Sequence, residues 1–179
     1  MLIGTAESRA LPVKVIAESM RALEVPNFPI SKSRNSSNFP MAKAYLNRRY
    51  RFSASHRLHS EQMSDAENRE TYGKCNNPHG HGHNYVLEVT VSGQVDENGM
   101  VCNLVDLDDC VKSSVVTRFD LENLNCRPEF ASTVPTTENL CAVIYDILKR
   151  EFRQAHLERV RLEETMMNSF EYAGEEKIL

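Results

Sequence analysis

Residues 74–89 read KCNNPHGHGHNYVLEV. Two periods of structure meet in this stretch. Up to Gly80 it is polar and rich in Asn, Pro and Gly, which is turn chemistry. From His81 onward every second residue is large or apolar: His81, His83, Tyr85, Leu87, Val89. A period of two predicts a strand with one face inward. On such a strand His81 and His83 project from the same face, with Cα atoms roughly 7 Å apart. The cysteine and histidines of this stretch would suit a structural metal knot, a catalytic metal site, or only a polar turn entering a strand.

The segment ahead of it narrows the choice. Leu46, Tyr50, Phe52 and Ala54 alternate with polar residues and predict a strand ending near His56, which shares their parity. If the two strands pair antiparallel, His56 comes beside His81 and His83. Three neutral imidazoles with a fourth position open are a catalytic zinc pattern, whereas a closed structural site takes four ligands. Cys75 lies in a polar loop beside them, where a nearby cation would favour its thiolate; ligand, nucleophile and base all remain open to it. His79 belongs with the pair by parity and with the loop by its neighbours Pro78 and Gly80. His59 and His156 read as surface histidines.

Further along, DENG at 96–99 is a turn signal, and Leu107, Val111, Val115 and Phe119 recur at helical spacing over 106–119. Asp106, Asp108 and Asp109 suit a helix start, and Asp120, at its end, opposes the local dipole. A second helix opens at Pro135–Thr136, with Leu140, Val143, Ile144, Ile147, Leu148 and Phe152 as its apolar stripe. LERVRLEET, from 157, and NSFEYAG, from 168, predict two more strands. Glu164 shares parity with Val160 and Leu162, so it faces inward, where a carboxylate is costly unless partnered; Glu163 faces the other way. The predicted fold is α+β: a four-stranded antiparallel sheet with two helices on one face, in the order β2α2β2.

The 179 residues allow one ordinary domain. A net charge of −4 argues against a general nucleic-acid binder, and no apolar run reaches the roughly 20 residues of a membrane span. Five cysteines without repeating spacing do not form a disulfide framework, so a cytoplasmic protein is expected. Cys102, Cys110, Cys126 and Cys141 read as small buried hydrophobes. Residues 1–40 are poorly patterned apart from VKVIAESMRAL, which suits a short amphipathic helix. They read as an extension, with Met41 a plausible translation start and 41–179 the folded domain. Without a compact apolar core after basic residues, no secretory signal is expected, and Glu7, Glu18 and Glu24 disfavour a mitochondrial presequence.

FSASHRL, GKCNNPHGHGHNY, GMVCNLVDL, VPTTENL and EET, in this order, closely resemble the 6-pyruvoyltetrahydropterin synthase family and its relative 6-carboxytetrahydropterin synthase, over about residues 43–173. The resemblance implies a tunnelling fold assembled as a homohexamer of two trimers, with sites at subunit interfaces. It implies zinc on His56, His81 and His83, Cys75 as catalytic base, Glu164 as the group anchoring the pterin ring, and pterin contacts from Thr137 and Glu138. The implied reaction eliminates triphosphate from 7,8-dihydroneopterin triphosphate; the pyruvoyl and carboxy branches stay open. No nucleic-acid or membrane partner is implied. One position departs. Where the family has an Asp-His pair, this protein has Asp120 followed by Leu121, and leucine cannot relay a proton. Either a neighbour such as His79 substitutes, or zinc alone activates the thiol, or the protein binds a pterin and catalyses little.

Overall fold

The computed structural model describes residues 42–174; the expectations for residues 1–40 and for Met41 lie outside them. Strands β1 (Lys43–His56) and β2 (His81–Gln94) form a long antiparallel ladder in continuous register, from Lys43 opposite Gln94 to His56 opposite His81. β4 (His156–Thr165) pairs with β2, and β5 (Asn168–Tyr172) with β4, both antiparallel. The expected four strands are joined by a fifth, so the count is corrected. The two-residue β3 (Glu122–Asn123) lies parallel to β1 at Ala54 and Ser55, giving the order β3-β1-β2-β4-β5. Two residues have no period, which is why the alternation did not reveal β3.

One face of the sheet carries the core. Tyr50, Phe52, Ala54, Tyr85, Leu87, Val89, Val160 and Leu162 alternate inward and are buried. Against them pack the stripes of two helical stretches. The first comprises α2 (Leu104–Val111), a π turn (Lys112–Val116) and α3 (Thr117–Phe119). It starts two residues before Asp106 because Asn103 caps it, its side chain accepting the Val105 N–H at 2.9 Å. The π turn has a chemical cause. Ser113 donates to the Asp109 carbonyl at 2.7 Å, Ser114 to Cys110 at 2.6 Å and Thr117 to Lys112 at 2.8 Å. These hydroxyls compete for carbonyls the helix would use. The wider turn also keeps Val111, Val115 and Phe119, spaced by four, on one buried line. An ideal helix of 3.6 residues per turn would let that line drift.

The second stretch, α4 (Thr137–Glu151), is capped by Thr136 and buries Leu140, Ile144, Ile147 and Leu148. A further helix, α1 (Asp65–Tyr72), runs into a 3-10 turn (Gly73–Asn76). Its sequence, DAENRETY, has no apolar stripe, so periodicity missed it. Its capping box was legible: the Ser64 hydroxyl accepts the Glu67 N–H, and the Glu67 carboxylate accepts the Ser64 N–H at 2.7 Å. Of the cysteines expected to be buried, Cys102 and Cys141 are, Cys110 is half-buried and Cys126 is exposed on a 3-10 turn. All five are free thiols.

Candidate metal centre

Tyr50, Phe52, Ala54 and His56 on β1, and His81, His83, Tyr85 and Leu87 on β2, are consecutive inward positions. The three histidines therefore prolong the core stripe past the point where hydrophobic side chains fill it. Each offers a nitrogen lying within 4.8 Å of the other two. Ring centroids are 4.7 Å apart for His56 and His81, 5.2 Å for His56 and His83, and 4.8 Å for His81 and His83.

The hydrogen bonds set the tautomer of the most buried ring. His56 is 1% exposed, and its Nδ1 lies 2.8 Å from the Pro135 carbonyl. A carbonyl only accepts, so Nδ1 carries the proton and Nε2 presents a lone pair. That Nε2 stands 3.2 Å from His81 Nε2. Two nitrogens on a tetrahedral zinc at about 2.05 Å would be about 3.3 Å apart. His83 Nε2 is buried without a hydrogen-bond partner among the described residues, a cost that a bound cation would remove. Burial, followed by the neighbouring imidazoles, holds His56 below its ordinary pKa despite the Pro135 hydrogen bond. Burial also lowers His83; the charges of His81 and Lys74 add to this and Glu164 opposes it. Neutral imidazole is the form a metal needs.

Glu164 faces this cluster, as its parity predicted. Its Oε1 is 3.5 Å from His83 Nε2 and 3.7 Å from His56 Nε2. It accepts a hydrogen bond from the Thr137 hydroxyl at 2.5 Å and another from Asn168 Nδ2 at 2.9 Å. Burial pushes its carboxyl up, but those two hydrogen bonds and the nearby His83 and His56 outweigh it, and the pKa is lowered. Thr137 is buried in the first turn of α4, beside the site. Glu138, the next residue, is exposed on the same turn and makes no hydrogen bond or ion pair among the described residues.

Cys75 is half-buried on the 3-10 turn, and its carbonyl accepts the Leu58 N–H at 2.9 Å, tying that turn to the end of β1. Its thiol is close enough to the Tyr85 hydroxyl to act on it electrostatically. Burial, then the Glu164 charge, and then Cys75 push that phenol's pKa up. Tyr85 is fully buried, two positions inward from His83 with ring centroids 5.6 Å apart. Tyr85 and Glu164 thus lie against the histidines, Thr137 holds Glu164, and Cys75 acts on Tyr85.

Asp120 does not join them. It lies on the far side of β1, its carboxylate accepting the Ser53 N–H at 2.8 Å. No hydrogen bond or ion pair among the described residues links it to Cys75. Leu121 beside it is 85% exposed and has φ of 60°, a left-handed conformation rare for leucine. His79 is exposed in the turn before β2, where its N–H donates to Asn77, and it too has no such link to Cys75. His59 is not a free surface histidine: Asn76 and Arg57 both approach its Nδ1, at 3.0 and 3.3 Å. His156 is exposed, as expected. Neither the Pro135 carbonyl nor Asn168 has a cue in the sequence, because one is a main-chain group and the other acts only through Glu164.

The family model for 6-pyruvoyl tetrahydropterin synthase matches residues 45–175. The protein belongs to the 6-pyruvoyl tetrahydropterin synthase family. Among similar proteins is the 6-pyruvoyl tetrahydrobiopterin synthase of Drosophila melanogaster, 47% identical over 134 residues, 73% of this chain and 80% of that protein. The protein of the same name from Poecilia reticulata is 46% identical over 144 residues, 79% of this chain and 98% of that one. The solved structure of Caenorhabditis elegans 6-pyruvoyl tetrahydropterin synthase superposes with a TM-score of 0.73 at 44% identity, covering 75% of this chain and 98% of that chain. No helix among the described residues is long and apolar enough to cross a membrane.

Proposed function

We propose that this protein is a zinc-dependent pterin synthase that eliminates triphosphate from 7,8-dihydroneopterin triphosphate, on the pyruvoyl branch. The observation that carries this is the meeting of three imidazole nitrogens with an ionised, doubly hydrogen-bonded Glu164. The donor set fits zinc: three imidazole nitrogens, one with its tautomer fixed by Pro135 and one buried without a hydrogen bond among the described residues. Zinc held by His56, His81 and His83 would supply Lewis acidity toward the substrate's side-chain hydroxyls.

The protein's own residues do the rest. The Glu164 carboxylate accepts the N–H edge of the aminopyrimidinone ring, and Thr137 and Asn168 keep it ionised and in place. Cys75 as thiolate is the general base that takes the proton from the hydroxyl-bearing carbon of the substrate. The branch follows the relatives, which carry the pyruvoyl name at 44–47% identity. A homohexamer of two trimers, expected from the resemblance, forms part of this proposal.

The position of Leu121 favours a second reading: a zinc-containing pterin-binding paralogue of weak or altered activity. Leu121 is exposed and Asp120 is committed to Ser53, so the pair offers Cys75 no proton relay within one subunit. Incubation with 7,8-dihydroneopterin triphosphate separates the two. The synthase releases inorganic triphosphate and gives a product with the mass of 6-pyruvoyltetrahydropterin; acetaldehyde would mark the carboxy branch, and no triphosphate the binder. Leu121→His should raise the rate if the relay limits turnover, by up to the roughly 10²–10⁴ that one acid-base group supplies. An unchanged rate would mean another group does this work.

A further inference from the structure

Beside Cys75 lies a group of cations to which the mechanism above gives no task. Arg57 follows the ligand His56 and is immobilised at both ends. Its N–H donates to Asn125 Oδ1 at 2.7 Å, and its carbonyl accepts from Asn125 Nδ2 at 2.9 Å. Its Nε donates to the Asn76 carbonyl at 3.2 Å, and its Nη2 faces His59 Nδ1 at 3.3 Å. Asn76 Nδ2 also donates to that Nδ1, so two donors converge on one nitrogen, which must be the acceptor. The guanidinium is thus pre-organised, with two of its five N–H donors engaged. No carboxylate among the described residues pairs with it, and none pairs with Arg69 or Lys74.

These three cations line one cleft of about 320 Å³, with Gly73, Asn77 and Asp65 also on its wall. Asp65 is the one acid there. Lys74 immediately precedes Cys75, and its charge reaches His83. The cleft thus shares Lys74 and Asn76 with the 3-10 turn that carries Cys75, and its Arg57 directly follows the end of β1 that carries His56. Three unpaired cations beside a single carboxylate leave an excess of positive charge, and a multivalent anion relieves it. A fixed guanidinium with free N–H groups, next to flexible ammonium and guanidinium arms, is phosphate-recognition chemistry.

We propose that Arg57, Lys74 and Arg69 form a cradle for an oligophosphate group. This rests on the synthase reading, whose substrate carries such a group, and adds the residues that would hold it. Arg57 supplies the pre-formed contact; Lys74 and Arg69, both exposed, close on the bound anion.

The test uses the full-length, zinc-loaded protein and inorganic tripolyphosphate, with calorimetric titration of wild type, Lys74→Ala and Arg57→Gln. Dihydroneopterin, which has no phosphate, is titrated in parallel. Lys74 is exposed and unpaired, so Lys74→Ala leaves the fold untouched even if Arg57→Gln loosens the Asn76 turn. The expected result is a tenfold or greater loss of tripolyphosphate affinity in both variants, recovery in Lys74→Arg, and unchanged dihydroneopterin affinity. Tripolyphosphate affinity equal to wild type in both variants would overturn the cradle while leaving the synthase reading intact. Affinity that follows the cations in a protein that neither binds dihydroneopterin nor releases triphosphate would keep the cradle and remove the synthase reading.

Discussion

Gly80 is the residue on which the histidine cluster turns. Its φ is 69°, and a Cβ there would lie 2.9 Å from the His56 carbonyl oxygen. A side chain would be strained by its backbone and would push apart the strand ends that hold His56 opposite His81. Gly82, between the two histidines, has ordinary φ, and a Cβ there would meet the Ala54 carbonyl at 3.4 Å. The glycines look equivalent in GHGH, but the structure separates them. Gly80→Ala should cost about 1–3 kcal/mol in chemical denaturation and lower zinc occupancy. Gly82→Ala should cost under about 1 kcal/mol and keep the metal. Equal effects would show that the close approach to His56 is not what Gly80 provides. At this scale the inward residues were legible, because parity alone aligned His56, His81, His83 and Glu164. Their anchors were not legible: the Pro135 carbonyl and Asn168 are brought in from the approach to α4 and from β5, and no local pattern reports them.

The ladder of β1 with β2 was legible for a related reason. Its hydrophobic alternation fixes register, since a one-residue slip would turn every core side chain outward. The elements that periodicity missed, α1 and β3, are those without an apolar face. Their surroundings depend on contacts such as Asn125 against Arg57 and Leu121 N–H to the Ser53 carbonyl at 2.6 Å. The link between β1 and α2 is electrostatic. Arg48 donates to Asp108 through Nε at 2.8 Å and Nη2 at 2.6 Å, and the Tyr50 hydroxyl donates at 3.0 Å. The Arg48 hydrogen bonds lead in holding the Asp108 pKa down at about 2, from an ordinary 3.8. A depressed carboxylate pKa means that the unfolded state binds the proton first. Its stabilisation is therefore complete above about pH 4 and is lost as pH falls toward about 2. Denaturation midpoints followed across that window should fall with acid, and Asp108→Asn should flatten this part of the curve. An identical slope in the variant would remove Asp108 from the acid response.

At the scale of the described residues, helices cover the core face of the sheet, and the histidines and Glu164 prolong the inward stripe of its strands. The α+β frame, the cluster of three histidines and the inward carboxylate could be read from spacing. The place of Asp120 could not, since its neighbour Ser53 lies 67 residues away in sequence and the contact is between a main-chain N–H and a carboxylate. Asp120 is engaged by the Ser53 N–H and has no hydrogen bond or ion pair to Cys75 among the described residues, so the proposed chemistry rests on the thiol and the histidine cluster. The most direct measurement is inorganic triphosphate release from 7,8-dihydroneopterin triphosphate, made alongside zinc content, on wild type and Cys75→Ala. Zinc near one per subunit is expected in both, with triphosphate release by wild type and a loss of about 10²–10⁴ in rate for the variant. Zinc-loaded wild type that releases no triphosphate, or a Cys75→Ala variant as fast as wild type, would contradict it.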